Sequence, residues 1–216
     1  MRTQRSLWTV LSVLALAGML TAFAPLPSPA AELTAAEAEG LVFMREEEKL
    51  AHDLYTGLYD LYGLPVFANI ARSESQHQQV VLDLLEAYGL EDPAAGNSAG
   101  EFRDPALQAL YDELLARAQA SQEEALRVAA LVEETDILDL QQRLAQAEQA
   151  DIVTAYGRLL LASGQHLRVV SGQIERLTGV EYTPQLMTAD EYSQIQSAPG
   201  DGTPGAGRGR GRGGPR

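Results

Sequence analysis

Four stretches of this sequence repeat apolar residues at the three- and four-residue spacing of a helix, and each stripe turns polar at its middle. The first reads Leu41, Met44, Glu48, Ala51, Tyr55, Leu58, Tyr62, and the second Phe67, Ile70, Glu74, His77, Val81, Leu84, Tyr88. The third is Leu126, Ala130, Glu133, Ile137, Leu140, Leu144, and the fourth Ile152, Tyr156, Leu159, Ser163, His166, Val170. If these faces share one core, three carboxylates and two imidazoles meet at one level inside it. A buried carboxylate without a partner is costly or takes up a proton, and several facing one another repel. A cation between them removes both penalties, so the pattern predicts a metal site. An isolated Glu-x-x-His pair is ordinarily solvated surface, and an isolated core histidine is ordinarily just hydrogen bonded. Here Glu48, Glu74, His77, Glu133 and His166 all fall at mid-helix seam positions, and that coincidence marks them as ligands.

The punctuation between the stripes supports an all-α reading. Thr34-Ala-Ala-Glu37 is a capping-box signature that starts a helix running to about Tyr62. Gly63-Leu-Pro65 is a tight connection, with Pro65 suited to a first helical turn. The second helix is expected to end near Tyr88-Gly89, before a Gly-, Ala-, Asp- and Pro-rich loop from Glu91 to Asp104. Asp104-Pro105 opens a short helix to about Gln119. Ser121-Gln-Glu-Glu124 is a second capping box that starts the third long helix, and the fourth covers roughly Asp151 to Leu177. Four long helices with the long connection between the second and third match the arrangement of carboxylate-metal bundles.

Composition closes off other chemistries. The 216 residues include no cysteine, which excludes disulfides, thiolate metal sites and Cys nucleophiles. A formal charge of −14 argues against a nucleic-acid-binding core. At the N-terminus, Arg2 and Arg5 precede an apolar run from Leu7 to Phe23, then Pro25-Leu-Pro-Ser-Pro29 and Ala30-Ala31. This reads as a signal peptide over residues 1–30, cleaved near Ala31; an uncleaved anchor is the competing reading. The mature chain is then expected in the periplasm or outside the cell. Residues 31–196 form the helical domain. Residues 197–216 are a Gly/Arg-rich tail, expected to be disordered and able to touch anionic surfaces, or to be a solvated extension without a dedicated partner.

The segment Glu48-Lys-Leu-Ala51-His-Asp-Leu-Tyr55 resembles the first helix of ferritins and rubrerythrins, and Phe67 to His77 is similar to the second helix of rubrerythrins. The run Met44-Arg-Glu-Glu-Glu-Lys-Leu-Ala51 resembles a branch of this superfamily, often exported, known as a domain of unknown function. The resemblance spans about Leu33 to Tyr192. It implies a ferritin-like four-helix bundle with a long crossover between helices two and three that carries a short extra helix. It also implies Glu48 as a terminal metal ligand, Glu74 as a bridging carboxylate and His77 as the imidazole on a first ion, with Glu133 and His166 on a second. Asp136 falls where rubrerythrins carry an additional carboxylate; it is otherwise readable as solvent-facing or paired with an arginine. Glu46 and Glu47 lie off the stripe and are expected on the solvated surface. Tyr55 and Tyr156 are read as packing residues with hydrogen-bonded hydroxyls.

The second half departs from the symmetrical pattern, because Ser163 stands where a glutamate is expected. Asp136, a water or an exogenous anion then has to compensate, or the second ion is weak or absent. Oxygen and imidazole ligands favour iron, with manganese or zinc as alternatives. Two classes of function follow. One is an oxidoreductase of ferroxidase or peroxidase type acting on oxygen or peroxide. The other is a non-catalytic metal-binding module or structural helical bundle. A monomer or small oligomer is expected rather than a cage.

Overall fold

The computed structural model describes residues 32–198. The expected signal peptide and most of the Gly/Arg tail lie outside the described residues. Among the described residues there are six helices and no strand. They are α1 (Ala35–Tyr62), α2 (Pro65–Ala87), α3 (Pro105–Ala118), α4 (Gln122–Leu144), α5 (Ala150–Thr178) and α6 (Ala189–Ser197). None of them is long and apolar enough to cross a membrane.

Local signals account for most of the boundaries. The Thr34 hydroxyl accepts from the Glu37 amide at 3.1 Å, and the Glu37 carboxylate accepts from the Thr34 amide at 2.9 Å, closing the capping box. Glu37 also accepts from the amides of Glu148 and Gln149, both at 2.8 Å, and so ties the start of α1 to the start of α5. Gly63 ends α1 at φ 62°, a left-handed cap that a residue with a Cβ adopts only under strain. Ser121 accepts from the Glu124 amide at 3.1 Å, but Glu124 does not return the bond. Its carboxylate is instead held by Arg117 Nε at 2.9 Å, so this capping box is only half formed.

The four long helices pair as two hairpins, α1 with α2 and α4 with α5, and the hairpins meet along α1–α4 and α2–α5. The crossover lays α3 against α1 and α4, while α6 packs on α5. The apolar core divides into two clusters. One holds Leu54, Tyr55, Phe67, Ala129 and Val170, and the other Leu41, Met44, Val81, Leu140 and Ile152. On α1, α2 and α5 the polar midpoint of the stripe falls at the level where one cluster gives way to the other, and on α4 the change follows within two turns of Glu133. The packing thus carries the site at the waist of the molecule, where the apolar layers on either side restrict water.

A C-terminal segment completes the domain. The helix α6 was not anticipated from the stripes, although Thr188 and Glu191 close a capping box at its start. The segment before it wraps around Glu134, which is fully buried. Glu134 accepts from the Tyr182 hydroxyl at 2.6 Å and from the amides of Gln185, Leu186 and Met187 at 2.6 to 3.0 Å.

A carboxylate and histidine cluster at the waist of the core

Helices α2, α4 and α5 each bring an i, i+3 pair into the waist, and the i, i+3 relation puts both members on one helical face. Helix α2 supplies Glu74 and His77, and α5 supplies Ser163 and His166; α1 adds Glu48, and α4 adds Glu133 and Asp136. Glu48, Glu74, Glu133 and Ser163 are 1 to 2% exposed, so solvent screens them hardly at all.

Five of the six sequence-expected ligands converge as two overlapping groups of three. Candidate ligand atoms of Glu48, Glu74 and His77 lie within 4.8 Å of one another, as do those of Glu74, Glu133 and His166. Glu74 belongs to both. Its Oε2 is 2.7 Å from His77 Nδ1, and its Oε1 is 2.8 Å from His166 Nδ1. Each imidazole nitrogen also has a second carboxylate at 3.4 Å, Glu48 for His77 and Glu133 for His166. The two rings stack with centroids 5.7 Å apart. Despite these short separations, neither Nδ1 makes an aligned hydrogen bond, and Glu48 Oε1 and Asp136 Oδ1 are buried without a partner.

Asp136, the sixth, stands outside both groups of three. It neither faces solvent nor pairs with an arginine: the Ser163 hydroxyl lies 2.5 Å from its Oδ2 and 2.9 Å from the Leu159 carbonyl. The departure at Ser163 therefore has a local partner, since the serine on α5 orients a carboxylate from α4. Tyr55 does the same for Glu133. Its hydroxyl lies 2.5 Å from Glu133 Oε1 and 3.0 Å from the Ala129 carbonyl. Tyr156 is buried too, but its hydroxyl has no partner, contrary to the expectation of a hydrogen bond.

The electrostatics follow from burial and mutual approach. Burial disfavours the charged imidazolium, but the facing carboxylates Glu48 and Glu74 outweigh it and lift His77 to about 11. Glu133 and Glu74 lift His166 to about 10 in the same way. Burial raises Glu74, yet the two imidazoles overcome it and bring the group down to about 2. Burial pushes Glu48 well above the ordinary carboxylate range, with Asp136 adding to the rise. Asp136 goes up to about 7, again chiefly through burial. Protonated imidazoles thus supply positive charge, and protons on some of the carboxylates remove negative charge.

Glu46 and Glu47 are corrections to the sequence reading, because both are buried. Glu46 faces away from the waist and accepts from the amides of Arg103 and Asp104, the latter at 2.9 Å, where the chain enters α3. Glu47 lines a cavity of about 20 Å³ together with Asp136, and its Oε2 has no partner. The crossover covers the outer face of α1 that the stripe alone leaves open. Lys49 and Asp53 help to pin it there: Lys49 Nζ donates to Asp53 Oδ2 at 2.5 Å and to the Ser98 carbonyl at 2.8 Å, and the Gly100 amide donates to Asp53 at 2.9 Å.

Residues 37–199 match the family described as "Uncharacterized protein domain (DUF2202)". The chain belongs to this family. The domain is similar to the uncharacterized protein MJ0754 of Methanocaldococcus jannaschii, with 38% identity over 170 residues, 79% of this chain and 91% of that protein. It is also similar to the crystal structure of the hypothetical protein MJ0754, with a TM-score of 0.77 and 37% identity, covering 81% of this chain and 99% of the solved one. The matched region of this DUF2202 chain contains every residue of the waist cluster.

Proposed function

We propose that this DUF2202 domain is a ferritin-like four-helix bundle that holds two metal ions and acts as an oxidoreductase of ferroxidase or peroxidase type. The observation that carries the reading is the shared position of Glu74. Its two oxygens stand 2.7 and 2.8 Å from imidazole nitrogens on two different helices, with no hydrogen bond aligned in either contact. Carboxylate and imidazole atoms crowded in this way fit a common positive centre, and the unpartnered oxygens of Glu48 and Asp136 face the same need.

Glu48, Glu74 and His77 would hold one ion, and Glu74, Glu133 and His166 the other. Oxygen and imidazole donors without sulfur suit iron, with manganese or zinc as alternatives. A pair of redox-active ions, when bound, supplies electrons to oxygen or peroxide. The chain's own residues set the conditions. Glu74 orients both sets through one side chain. Tyr55 fixes Glu133, and Ser163 fixes Asp136, so that neither carboxylate swings freely. Asp136, raised to about 7 chiefly by burial, is a titratable carboxyl beside the two sets and is placed to hold or give up a proton there. The apolar layers above and below limit water at the waist.

Elemental analysis of the protein purified from the cell envelope or medium tests binding, with two ions per chain expected. Consumption of ferrous iron or peroxide by the loaded protein then separates an oxidoreductase from a structural metal site. Loading without turnover would reduce the proposal to metal binding alone.

A further inference from the structure

Beside the waist, α5 forms one wall of a groove of about 730 Å³, and α6 contributes to the opposite rim. Its size suits a small organic molecule. Leu160, Leu161 and Ile195 give it an apolar surface, and Leu161 is 63% exposed. The charged residues of the lining are Arg158 and Arg168; no aspartate or glutamate contributes. In a chain of net charge −14, an opening lined by cations alone is a local reversal of sign. His166 lies in the same lining, while its Nδ1 faces Glu74 and Glu133 inside the core. The groove therefore reaches the waist cluster from outside.

Its geometry is held in place. Arg168 Nη1 donates to the Ile195 carbonyl at 2.7 Å, which docks α6 and fixes the guanidinium at the groove. That bond uses one of the five N–H donors of the arginine. Gly164 of α5 lies against Ile195, close enough that a Cβ there would make an ordinary contact with it at 3.6 Å.

We propose that this groove is a binding site for amphipathic organic anions: an acid group held by Arg158, with an apolar body along Leu160, Leu161 and Ile195. Its service as the substrate side of the metal site rests on the function proposed above; the binding itself does not. Two features select this ligand class. Cationic lining in an acidic protein attracts anions and repels organic cations, and apolar surface adds affinity for each methylene buried.

Octanoate is the probe, titrated calorimetrically into the full mature chain at low salt, with octylammonium and acetate as controls. Octanoate is expected to bind once per chain and the controls not measurably. Arg158→Gln should weaken octanoate roughly fivefold, the scale of an exposed charge pair. Leu161→Asp, which adds a negative charge on the apolar surface, should weaken it at least as much. Both positions are exposed, so neither variant threatens the fold. Absence of octanoate binding, equal binding of octylammonium, or wild-type affinity in both variants would overturn the proposal. Metal content measured on the same samples should be equal in all three proteins. A wild type that binds octanoate but takes up no metal leaves the groove standing and removes the metal reading.

Discussion

Glu134→Ala probes how the C-terminal segment is held, and its cost can be worked out bond by bond. The carboxylate accepts from one hydroxyl and three backbone amides, on Tyr182, Gln185, Leu186 and Met187. Gln185 and Leu186 are exposed, so water replaces the lost acceptor at those two amides. Tyr182 and Met187 are 3% and 5% exposed, and their donors are left buried and unpaired. Each such donor costs about 1–3 kcal/mol, which puts the substitution at roughly 2–6 kcal/mol. A domain of this size loses about 2–4 °C of Tm per kcal/mol, so a drop on the order of 10 °C is expected if the domain melts as one unit. The segment can also release locally and rehydrate, which caps the global loss at the free energy of docking it. Hydrogen exchange followed by mass spectrometry separates the two outcomes. Amides of residues 182–197 should lose protection in the variant, whereas those of α1, α2 and α4 should keep theirs. A melting temperature within 2 °C of wild type, together with wild-type protection across 182–197, would refute the role given to Glu134.

Tyr55→Phe removes the hydroxyl that holds Glu133 without opening a cavity. A loss of about 1.5–3 kcal/mol is expected by chemical denaturation, the range for a hydrogen bond to a charged group, and an unchanged midpoint would contradict it. Metal uptake should release protons, because the imidazoles at about 11 and 10 hold them in the metal-free site; calorimetry in two buffers of different ionisation enthalpy counts them, and a count of zero would be inconsistent. The same shifts set a sign for stability. His77 and His166 are raised above their usual 6.5, so their contribution is complete below that pH and lost toward about 11 and 10, while Asp136, raised from 3.8 to about 7, lowers stability as pH rises between those values. Glu74, lowered to about 2, acts in the opposite sense only below 4.5, so metal-free protein should melt lower at pH 9 than at pH 5. Finally, N-terminal sequencing of protein recovered outside the cytoplasm should begin close to Ala31, and an intact Met1 in the cytoplasmic fraction would argue against export.

Much of the helical plan was legible because it is written locally. Thr34 with Glu37, Pro65 after Gly63 and Asp104 before Pro105 each mark a boundary within a few residues. The waist was legible for the same reason: helical periodicity alone puts Glu74 with His77, and it picks out Glu48 among three consecutive glutamates as the one that joins them. What it could not reveal is where the crossover lies. Glu46 and Glu47 look like solvated surface until the chain around Arg103 and the helix α3 fold back over α1. Glu134 carries no local sign at all, since its partners, the Tyr182 hydroxyl and three backbone amides, lie about fifty residues further along. Helix α6 did carry a sign, the Thr188 and Glu191 capping box, but its short stripe has only one buried residue, Tyr192. The half-formed box at Ser121 shows the converse, a correct local signal diluted when Arg117 competes for Glu124.

Metal stoichiometry across three single variants tests the central claim most directly, because Glu74 belongs to both groups of ligands whereas Glu48 and Glu133 belong to one each. The measurement is metal bound per chain, by elemental analysis after loading with ferrous iron and removal of free ion, on folded protein verified by circular dichroism. Wild type should hold two ions, Glu48→Ala and Glu133→Ala one each, and Glu74→Ala none. Equal metal content in all four proteins, or a Glu74→Ala variant that loses no more than the other two, would contradict a shared carboxylate at the waist.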